Sequence, residues 1–471
     1  MSEVGVAPRA AEGGEGENSV ATAVAILKQR FGERVATSQA LREQHANSVT
    51  YLPAQLPDAV FFAQSTEDVQ EALRVCAQYK VPVIPFGTGT SLEGGVNAPQ
   101  GGISIDVMQM NEVIAVNTED LDCVVQPGVT REQLNEHLRA TGLFFPIDPG
   151  ANASLGGMAS TRASGTNAVR YGTMREAVIN VTAVLANGEI IKTANRAKKS
   201  SAGYDLTRLF VGSEGTLGII TELTLKLHGI PEAIAAAVCS FPSLEAACNA
   251  TIMATQMGIP VARIELIDEV SVEAINAYSK TDIAVSPLLL LEFHGSESGV
   301  REQSQMFGDI ASECGGTGFK WVTEPEERNK LWAARHNAYW AIRAYTTASN
   351  ALSTDVCVPI SRLAECVEET RMDIESEGLF GPIVGHVGDG NFHCLLCFEP
   401  DDAETVAKVE KVTKRMAERA IAMDGTCTGE HGIGQGKRKY MEMEHGGAVD
   451  AMRAIKQALD PNGIMNPGKV V

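Results

Sequence analysis

The first half of the chain alternates amphipathic helices with strands that run into glycine-rich loops. In STEDVQEALRVCAQYK, apolar residues recur at helical spacing behind Ser65, a favoured N-cap residue. TREQLNEHLRATG predicts another helix, because Thr130 and Gln133 carry the signature of a capping box. VINVTAVLANGEIIKT predicts a hairpin that turns at Asn187-Gly188, and VPVIPFGTG and GIITELTLKL predict strands. The pattern is therefore typical of an α+β fold.

The amino-acid composition and the pattern of predicted elements change near residue 230. From there to about residue 425 glycines thin out, and helical segments such as SLEAACNATIMATQMG alternate with strand-like ones such as ARIELI and PLLLLEFHG. The last stretch is glycine-rich again and ends in LDPNGIMNPGKVV. We therefore predict an N-terminal tail and helix, a first domain, a second domain and a C-terminal segment that returns to the first domain, with bounds 1–54, 55–229, 230–425 and 426–471.

Composition and charge narrow the class of protein. A chain of 471 residues with 44% hydrophobic and 21% charged residues is expected to form two globular domains or one domain with a large insertion. The formal charge of −20 argues against nucleic-acid binding, which requires clustered Lys and Arg. A few buried arginines are still enough to bind a small anionic substrate.

The termini and cysteines suggest an intracellular location. Residues 1–19 are acidic and rich in Gly and Ala, lack the features of a signal or transit peptide, and predict an unstructured tail before a helix in SVATAVAILKQRFG. No apolar run is long enough to span a membrane. Ten cysteines without regular spacing predict reduced thiols, and Cys394 and Cys397 are expected to be small apolar residues of a strand. We expect a cytoplasmic protein in a bacterium, with peripheral membrane association open, or a mitochondrial one in a eukaryote.

Three glycine-rich segments are candidates for binding a phosphate-containing ligand. PFGTGTSLEGG, residues 85–95, follows a strand and can direct several backbone N–H groups at an anion. Its spacing fits neither the Rossmann fingerprint nor the P-loop, and taken alone the segment is more typical of a hairpin or surface turn. Residues 148–176 and 212–221 are two further segments of this kind. Together they favour one large, extended ligand with a diphosphate.

Two glycine-rich patches carry three of the nine histidines. In HVGDGNFH, the Asp-Gly turn signal between His386 and His393 can bring both to neighbouring strand ends. In TGEHGIGQGKRK, Glu430 directly precedes His431, and only irregular backbone lets both side chains reach one cavity. Two histidines and a carboxylate suit Zn²⁺, Mn²⁺ or Fe²⁺, whereas structural histidines are the alternative.

The glycine segments resemble the flavin-contacting stretches of the vanillyl-alcohol-oxidase (PCMH)-type FAD domain. Together with STDVCVPISRL, GHVGDGNFH, CTGEHGIG and MNPGK, they make residues 58–471 similar to the FAD-linked D-lactate dehydrogenases of the cytochrome-linked kind. The resemblance implies a PCMH-type FAD-binding domain of two α/β subdomains and an antiparallel-sheet cap domain with helices.

The resemblance also implies a set of FAD contacts. The flavin is expected to be non-covalent, because neither FAD loop contains the histidine to which some relatives attach it. The implied contacts are Pro85, Gly87, Thr88, Gly89, Thr90, Ser91, Pro149, Gly150, Ser154, Gly157, Thr161, Gly165, Glu214, Gly215, Gly218, Ile219 and Asn466.

By the same resemblance, His386, His393 and Glu430 bind a divalent metal, with Zn or Mn favoured. His431 would be the general base that takes the hydroxyl proton, while the C2 hydride passes to the flavin. Arg335 would bind the substrate carboxylate, and an ordinary salt bridge on its helix is the alternative.

The expected substrate is a D-2-hydroxy monocarboxylate, with D-lactate first. D-2-Hydroxyglutarate dehydrogenases share this architecture but carry a lysine and an asparagine where this chain has Ser353 and Leu395. The alternatives are a glycolate oxidase flavin subunit, a D-2-hydroxyglutarate dehydrogenase, an ether-lipid synthase and a non-catalytic metal-binding protein. The electron acceptor is expected to be cytochrome c, a quinone or an electron-transfer flavoprotein, and the chain to form a homodimer.

Overall fold

A computed structural model describes residues 15–46 and 49–471. The first subdomain is a four-stranded sheet in the order β1-β2-β4-β3, with β2, β4 and β3 parallel and β1 antiparallel. Ser65 caps the N-terminus of helix α3, as predicted, and its side chain accepts a hydrogen bond from the Asp68 N–H. The elements are β1 (Val35–Ala36), β2 (Ala59–Phe62), β3 (Val83–Phe86), β4 (Ile103–Asp106), α1 (Glu15–Phe31), α2 (Gln39–Gln44) and α3 (Thr66–Tyr79).

The N-terminal boundary differs from the prediction. Helix α1 starts at Glu15, so the last residues of the expected tail are helical. Residues 1–14 lie outside the described residues, and the prediction for them stays a prediction.

The second subdomain is a five-stranded antiparallel sheet in the order β5-β6-β10-β8-β9. The predicted hairpin is confirmed, since β8 and β9 pair across Asn187-Gly188. The Thr130–Gln133 capping box is also present, at the start of α4. The elements are β5 (Val113–Asn117), β6 (Asp122–Val125), β7 (Leu143–Phe144), β8 (Val178–Val184), β9 (Ile190–Lys192), β10 (Ile219–Lys226), β11 (His228–Gly229), α4 (Arg131–Leu138), α5 (Leu155–Thr161), α6 (Ala168–Tyr171), α7 (Met174–Ala177) and α8 (Leu206–Phe210).

The region after residue 230 is an eight-stranded antiparallel sheet with helices on both faces. Its strand order is β15-β12-β14-β13-β18-β19-β16, and β17 pairs with β19. Apolar residues of α9, α11, α13 and α14 pack on one face, and those of α10 and α12 on the other. The elements are β12 (Ala233–Ser240), β13 (Val261–Ile267), β14 (Leu288–Gly295), β15 (Thr317–Val322), β16 (Asn350–Ser353), β17 (Val356–Cys357), β18 (Ile383–Gly385), β19 (Asn391–Phe398), α9 (Leu244–Gln256), α10 (Glu269–Ser279), α11 (Glu297–Glu313), α12 (Pro325–Tyr345), α13 (Leu363–Glu377) and α14 (Ala403–Ala422).

The two cysteines of the CxxC pair lie buried in β19. Among the described residues, the side-chain groups that could hold a metal contain no cysteine. Cys394 packs in the apolar cluster on one face of the sheet and Cys397 in the cluster on the other, which confirms the interpretation of both as apolar strand residues.

The C-terminal residues contact the first subdomain. After α15 (Met441–His445) and α16 (Ala448–Leu459), the chain runs beside β3, where the Val83 N–H donates to Ile464 O at 2.8 Å and the Asn466 N–H donates to Val83 O at 2.8 Å. Short 3-10 helices lie at Gly32–Arg34, Ile360–Arg362, Val387–Asp389 and Arg438–Tyr440. Within residues 15–46 and 49–471, no helix is both long enough and apolar enough to cross a membrane.

Candidate functional site

Two of the glycine-rich segments, residues 85–95 and 148–176, contact each other just after the end of β3. The Ser154 N–H, just before α5, donates to the Thr88 hydroxyl at 3.4 Å, and Thr88 Oγ1 lies 3.2 Å from Thr90 Oγ1. The hydroxyls of Ser91 and Ser154 are buried and have no hydrogen-bond partner in the described part of the chain. Because buried polar groups are normally paired, two unpaired hydroxyls in facing loops fit the oxygens of a bound diphosphate.

Close packing requires glycine at one of these positions. A Cβ on Gly87 would lie 2.3 Å from Ser154 Oγ, so a larger residue would push the two segments apart. A Cβ on Gly150, in contrast, would meet nothing within 4 Å, so Gly150 borders open space. The other predicted FAD residues of these segments follow in order: Pro85 in β3, Gly89 in the loop, Pro149 before α5, Gly157 and Thr161 in α5, and Gly165 after it.

The third glycine segment and the C-terminus complete this group. The Glu214 N–H donates to Ser160 O at 2.9 Å, and a Cβ on Gly215 would lie 2.6 Å from Pro85 Cγ. Asn466 Nδ2 donates to Glu214 O at 2.7 Å. Gly218 and Ile219 lead this segment into β10. The FAD residues predicted in four distant segments therefore lie in contacting segments.

Glu214 connects the FAD segments to the histidine loop. Its carboxylate accepts the N–H groups of Ile433 at 2.7 Å and Gly434 at 2.9 Å. Burial raises the pKa of Glu214 to about 7, although these two hydrogen bonds favour the charged form. The loop that carries Glu430 and His431 is thus attached to the predicted cofactor site.

The first two histidines lie on a tight hairpin in the sheet. His386 follows β18, a 3-10 turn spans Val387–Asp389, Gly390 adopts a φ of 80°, and His393 lies on β19. The ring centroids of His386 and His393 are 5.3 Å apart. The prediction that the Asp-Gly turn lets both side chains converge is confirmed.

Glu430 lies between these two histidines. Its Oε1 is 3.2 Å from His386 Nε2 and 3.4 Å from His393 Nε2. Its second oxygen, Oε2, is buried and has no hydrogen-bond partner among the residues described. One ligand atom from each of the three side chains lies within 4.8 Å of the other two. This donor set fits a divalent cation.

The other ring nitrogens fix the orientation of both histidines. His386 Nδ1 lies 2.7 Å from Glu265 Oε1, and His393 Nδ1 lies 2.9 Å from Thr354 O. A carboxylate and a carbonyl only accept hydrogen bonds, so Nδ1 carries the proton in both rings. Each Nε2 is therefore directed at Glu430.

The electrostatics of the cluster favour positive charge. Burial would lower the pKa of His386, but Glu265 and Glu430 raise it well above its ordinary value. Burial would likewise raise the pKa of Glu430, but the two histidines lower it. The carboxylates thus create a field that stabilises a cation at this position.

His431 stacks on His393. The two rings are 5.0 Å apart and only 10° from parallel. His431 Nδ1 is buried and unpaired in the described chain. Burial lowers the pKa of His431 to about 4, partly opposed by Asp355. The imidazole is therefore neutral near pH 7 and has a free nitrogen that can accept a proton.

Asp355 organises this loop, a role that the sequence did not reveal. Its Oδ2 accepts the Thr428 hydroxyl at 2.8 Å and the N–H groups of Glu430 and His431, each at 2.9 Å. Lys437 Nζ lies 3.6 Å from the same oxygen. The residue stood within the motif STDVCVPISRL, but its partners are too distant in sequence to be inferred.

Arg335 forms a salt bridge with Glu265, a second residue whose role the sequence alone does not reveal. Its Nε donates to Glu265 Oε2 at 2.8 Å, and the Glu265 side chain is completely buried. The salt-bridge alternative for Arg335 is thus present in the structure, and Glu265 links Arg335 to His386. A single carboxylate inside the apolar strand ARIELI was the available signal.

Family models match both parts of the chain. One described as "FAD binding domain" matches residues 57–194, and one described as "FAD linked oxidases, C-terminal domain" matches residues 230–470. The chain belongs to the FAD-linked oxidases. A "Probable D-lactate dehydrogenase, mitochondrial" of Danio rerio is 52% identical over 443 residues, covering 93% of this chain and 89% of the relative.

A second relative carries a similar name. The "D-lactate dehydrogenase [cytochrome], mitochondrial" of Arabidopsis thaliana is 48% identical and covers 88% of this chain and 74% of the relative. The resemblance inferred from the motifs is therefore confirmed for this FAD-linked oxidase.

Solved structures confirm the expected fold. p-Cresol methylhydroxylase with substrate bound superposes with a TM-score of 0.80 at 18% identity, covering 96% of this chain and 97% of that chain. An alkyldihydroxyacetonephosphate synthase gives 0.73 at 20% identity, covering 95% and 84%. At such identities the likeness shows the fold alone, so it lends no support to the ether-lipid synthase alternative.

Proposed function

We propose that this FAD-linked oxidase converts D-lactate, or a D-2-hydroxy monocarboxylate of similar size, to the 2-oxo acid. The observation that carries the proposal is the free Nδ1 of His431, on a ring stacked against the His386, His393 and Glu430 cluster. This loop is attached through Glu214 to the predicted FAD segments. The relatives named D-lactate dehydrogenase support the substrate.

The residues present fit both cofactors. The unpaired Ser91 and Ser154 hydroxyls and their loops would hold the FAD diphosphate, and the flavin would be non-covalent. When bound, FAD supplies the two-electron acceptor for the C2 hydride of the substrate. His386, His393 and Glu430 would hold a divalent cation, Zn²⁺ or Mn²⁺, which would supply Lewis-acid chemistry for the substrate hydroxyl.

The remaining steps belong to the side chains of this protein. Arg335 binds the substrate carboxylate through its terminal nitrogens, because its Nε is already bonded to Glu265. His431 accepts the hydroxyl proton at Nδ1, so the substrate loses one proton to the protein and one hydride to its cofactor. The buried cluster excludes water from this transfer, which strengthens each electrostatic contact.

The surroundings of β19 favour a monocarboxylate. Ser353 lies directly opposite Leu395 in the pairing of β16 with β19. Leu395 is buried in an apolar cluster that includes Trp332. A second substrate carboxylate would meet no basic group at these two positions, which argues against D-2-hydroxyglutarate.

Anaerobic flavin reduction tests the proposal. The purified FAD-bound protein is mixed with D-lactate, L-lactate, glycolate, D-2-hydroxybutyrate and D-2-hydroxyglutarate, and the loss of flavin absorbance is followed. We expect rapid bleaching by D-lactate and much slower bleaching by the L-enantiomer and the dicarboxylate. Fastest reduction by glycolate would favour the glycolate oxidase alternative, and no reduction by any acid would refute the proposal.

The electrons must then leave the flavin. We propose a cytochrome c as the acceptor, because three relatives, from Arabidopsis thaliana, Kluyveromyces lactis and Saccharomyces cerevisiae, bear "cytochrome" in their names. Comparing turnover with cytochrome c, a soluble quinone and an electron-transfer flavoprotein tests this choice. The homodimer also stays a prediction, which light scattering can check.

A further inference from the structure

We infer that Glu265 is a positioning residue that holds one metal-ligating histidine and the substrate-binding arginine at the same time. Its Oε1 lies 2.7 Å from His386 Nδ1, and its Oε2 accepts Arg335 Nε at 2.8 Å. Each carboxylate oxygen thus serves one functional side chain. The inference rests on the proposed function, because that function assigns the roles of His386 and Arg335.

The contact with His386 selects the tautomer that can bind a metal. A carboxylate cannot donate a hydrogen bond, so His386 must carry its proton on Nδ1. Nε2, which lies 3.2 Å from Glu430 Oε1, is then the nitrogen whose lone pair becomes available to a metal once the ring gives up its second proton. Partners of this kind typically change metal affinity by about 10- to 100-fold when they are removed.

The contact with Arg335 sets the plane of its guanidinium group. The group is planar, so a hydrogen bond at Nε restricts its rotation and leaves the two terminal nitrogens for a carboxylate. The Arg335 side chain is 17% exposed, whereas the Glu265 side chain is 0% exposed, so the buried carboxylate holds the arginine from the interior of the protein. Arg335 is therefore held ready for a substrate that arrives from the exposed side.

The backbone around Glu265 is rigid. The residue lies in β13, which pairs with β14 on one side and with β18 on the other. His386 directly follows β18, so the carboxylate and its histidine partner are fixed to adjacent strands. One side chain in the middle of the sheet can therefore set the spacing between the metal site and the carboxylate-binding arginine.

The substitution Glu265→Gln keeps a polar side chain of similar size at this buried position but removes its ability to accept hydrogen bonds from His386 and Arg335 at the same time. The amide has one accepting oxygen and one donating nitrogen, so it can satisfy Arg335 Nε or His386 Nδ1–H, but not both. If the oxygen faces Arg335, His386 adopts the wrong tautomer and metal affinity falls. If the oxygen faces His386, the amide N–H repels Arg335 and the KM for D-lactate rises.

The experiment uses metal-free, FAD-bound protein. Zn²⁺ affinity is measured by competition with a chromophoric chelator, and KM and kcat for D-lactate are measured after Zn²⁺ is restored. We expect Glu265→Gln to weaken Zn²⁺ binding or raise KM at least tenfold, with FAD content unchanged. The control is Glu292→Gln, which changes a buried carboxylate on the adjacent strand that contacts His294 and Arg263 instead. It should change Zn²⁺ affinity less than twofold.

The outcomes distinguish this inference from the proposed function. Unchanged Zn²⁺ affinity and unchanged KM in Glu265→Gln, with a wild-type protein that binds Zn²⁺, would overturn only the role of Glu265. A wild-type protein that binds neither Zn²⁺ nor Mn²⁺ would overturn the proposed metal site and the histidine half of the inference together. If the variant does not fold, ¹⁵N NMR of histidine-labelled wild-type protein with Zn²⁺ gives a second test. A proton on His386 Nδ1 supports the inference, and a proton on Nε2 contradicts it.

Discussion

Asp355→Asn is expected to damage both the stability of the protein and its metal site. Oδ2 of Asp355 accepts three hydrogen bonds from the loop that carries Glu430 and His431, and Oδ1 accepts Asn391 Nδ2 at 2.8 Å. An asparagine must turn its NH₂ group toward donors on one side or the other. It also removes the negative charge that faces Lys437, which is itself buried.

The size of the effect follows from these contacts. A hydrogen bond to a charged group contributes about 1.5–3 kcal/mol, and removal of one partner of a buried ion pair costs about 3–5 kcal/mol. These contributions overlap, so we expect the free energy of unfolding to fall by about 3–5 kcal/mol. Because the loop also carries a ligand, Zn²⁺ affinity should fall by about 10- to 100-fold.

Urea denaturation of the FAD-bound protein and Zn²⁺ competition measure the two effects. Asp268→Asn is a matched control, because Asp268 is also buried, accepts the N–H groups of Ser271 and Ile383 and pairs with Arg371. The control should lose stability but keep its Zn²⁺ affinity. A loss below about 1 kcal/mol with normal Zn²⁺ binding in Asp355→Asn would show that Asp355 does not hold the loop that carries Glu430 and His431.

Three further predictions concern the cofactors and the substrate. Gly87→Ala should weaken FAD binding at least tenfold, because the new Cβ would lie 2.3 Å from Ser154 Oγ. The control Gly229→Ala, whose Cβ meets nothing within 4 Å, should leave FAD affinity unchanged. If equilibrium dialysis gives the two variants equal FAD affinities, the loops that contain Gly87 and Ser154 do not hold the FAD diphosphate. The double variant Ser353→Lys with Leu395→Asn should shift the ratio of kcat/KM from D-lactate toward D-2-hydroxyglutarate by about tenfold or more, since a charged hydrogen bond contributes about 1.5–3 kcal/mol. An unchanged ratio would show that these paired positions do not contact the substrate tail. Chelator treatment should abolish flavin reduction by D-lactate, and added Zn²⁺ or Mn²⁺ should restore it; full activity in protein shown to be metal-free by elemental analysis would remove the metal from the mechanism.

Local signals in the sequence predicted much of the fold. The Ser65 cap, the Thr130 capping box and the Asn187-Gly188 hairpin depend on neighbours a few residues apart, and the structure contains all three. Helix α1 starts earlier than the sequence predicts, because residues 12–18, EGGEGEN, are acidic and rich in glycine. Such a composition favours an unstructured chain on local grounds alone.

The candidate site was only partly predictable from the sequence, because local signals do not show which distant residues the fold brings together. His386, His393 and Glu430 could be proposed because glycine turns and ligand types lie close together in each patch. Glu265 and Asp355 could not, since their partners are brought to them by the sheet: Glu265 meets His386 121 residues later, and Asp355 meets His431 76 residues later. A buried charge in an apolar strand suggests that a partner exists, but the fold alone determines which one.

Flavin reduction in the variant His431→Ala tests most directly whether His431 takes the substrate proton. We expect this variant to keep its FAD and its metal and to be reduced normally by dithionite. Anaerobic stopped-flow reduction by D-lactate should nevertheless be slower by about 10²- to 10⁴-fold, the usual contribution of a general base. Reduction by D-lactate at the wild-type rate would contradict the claim that His431 takes the substrate proton.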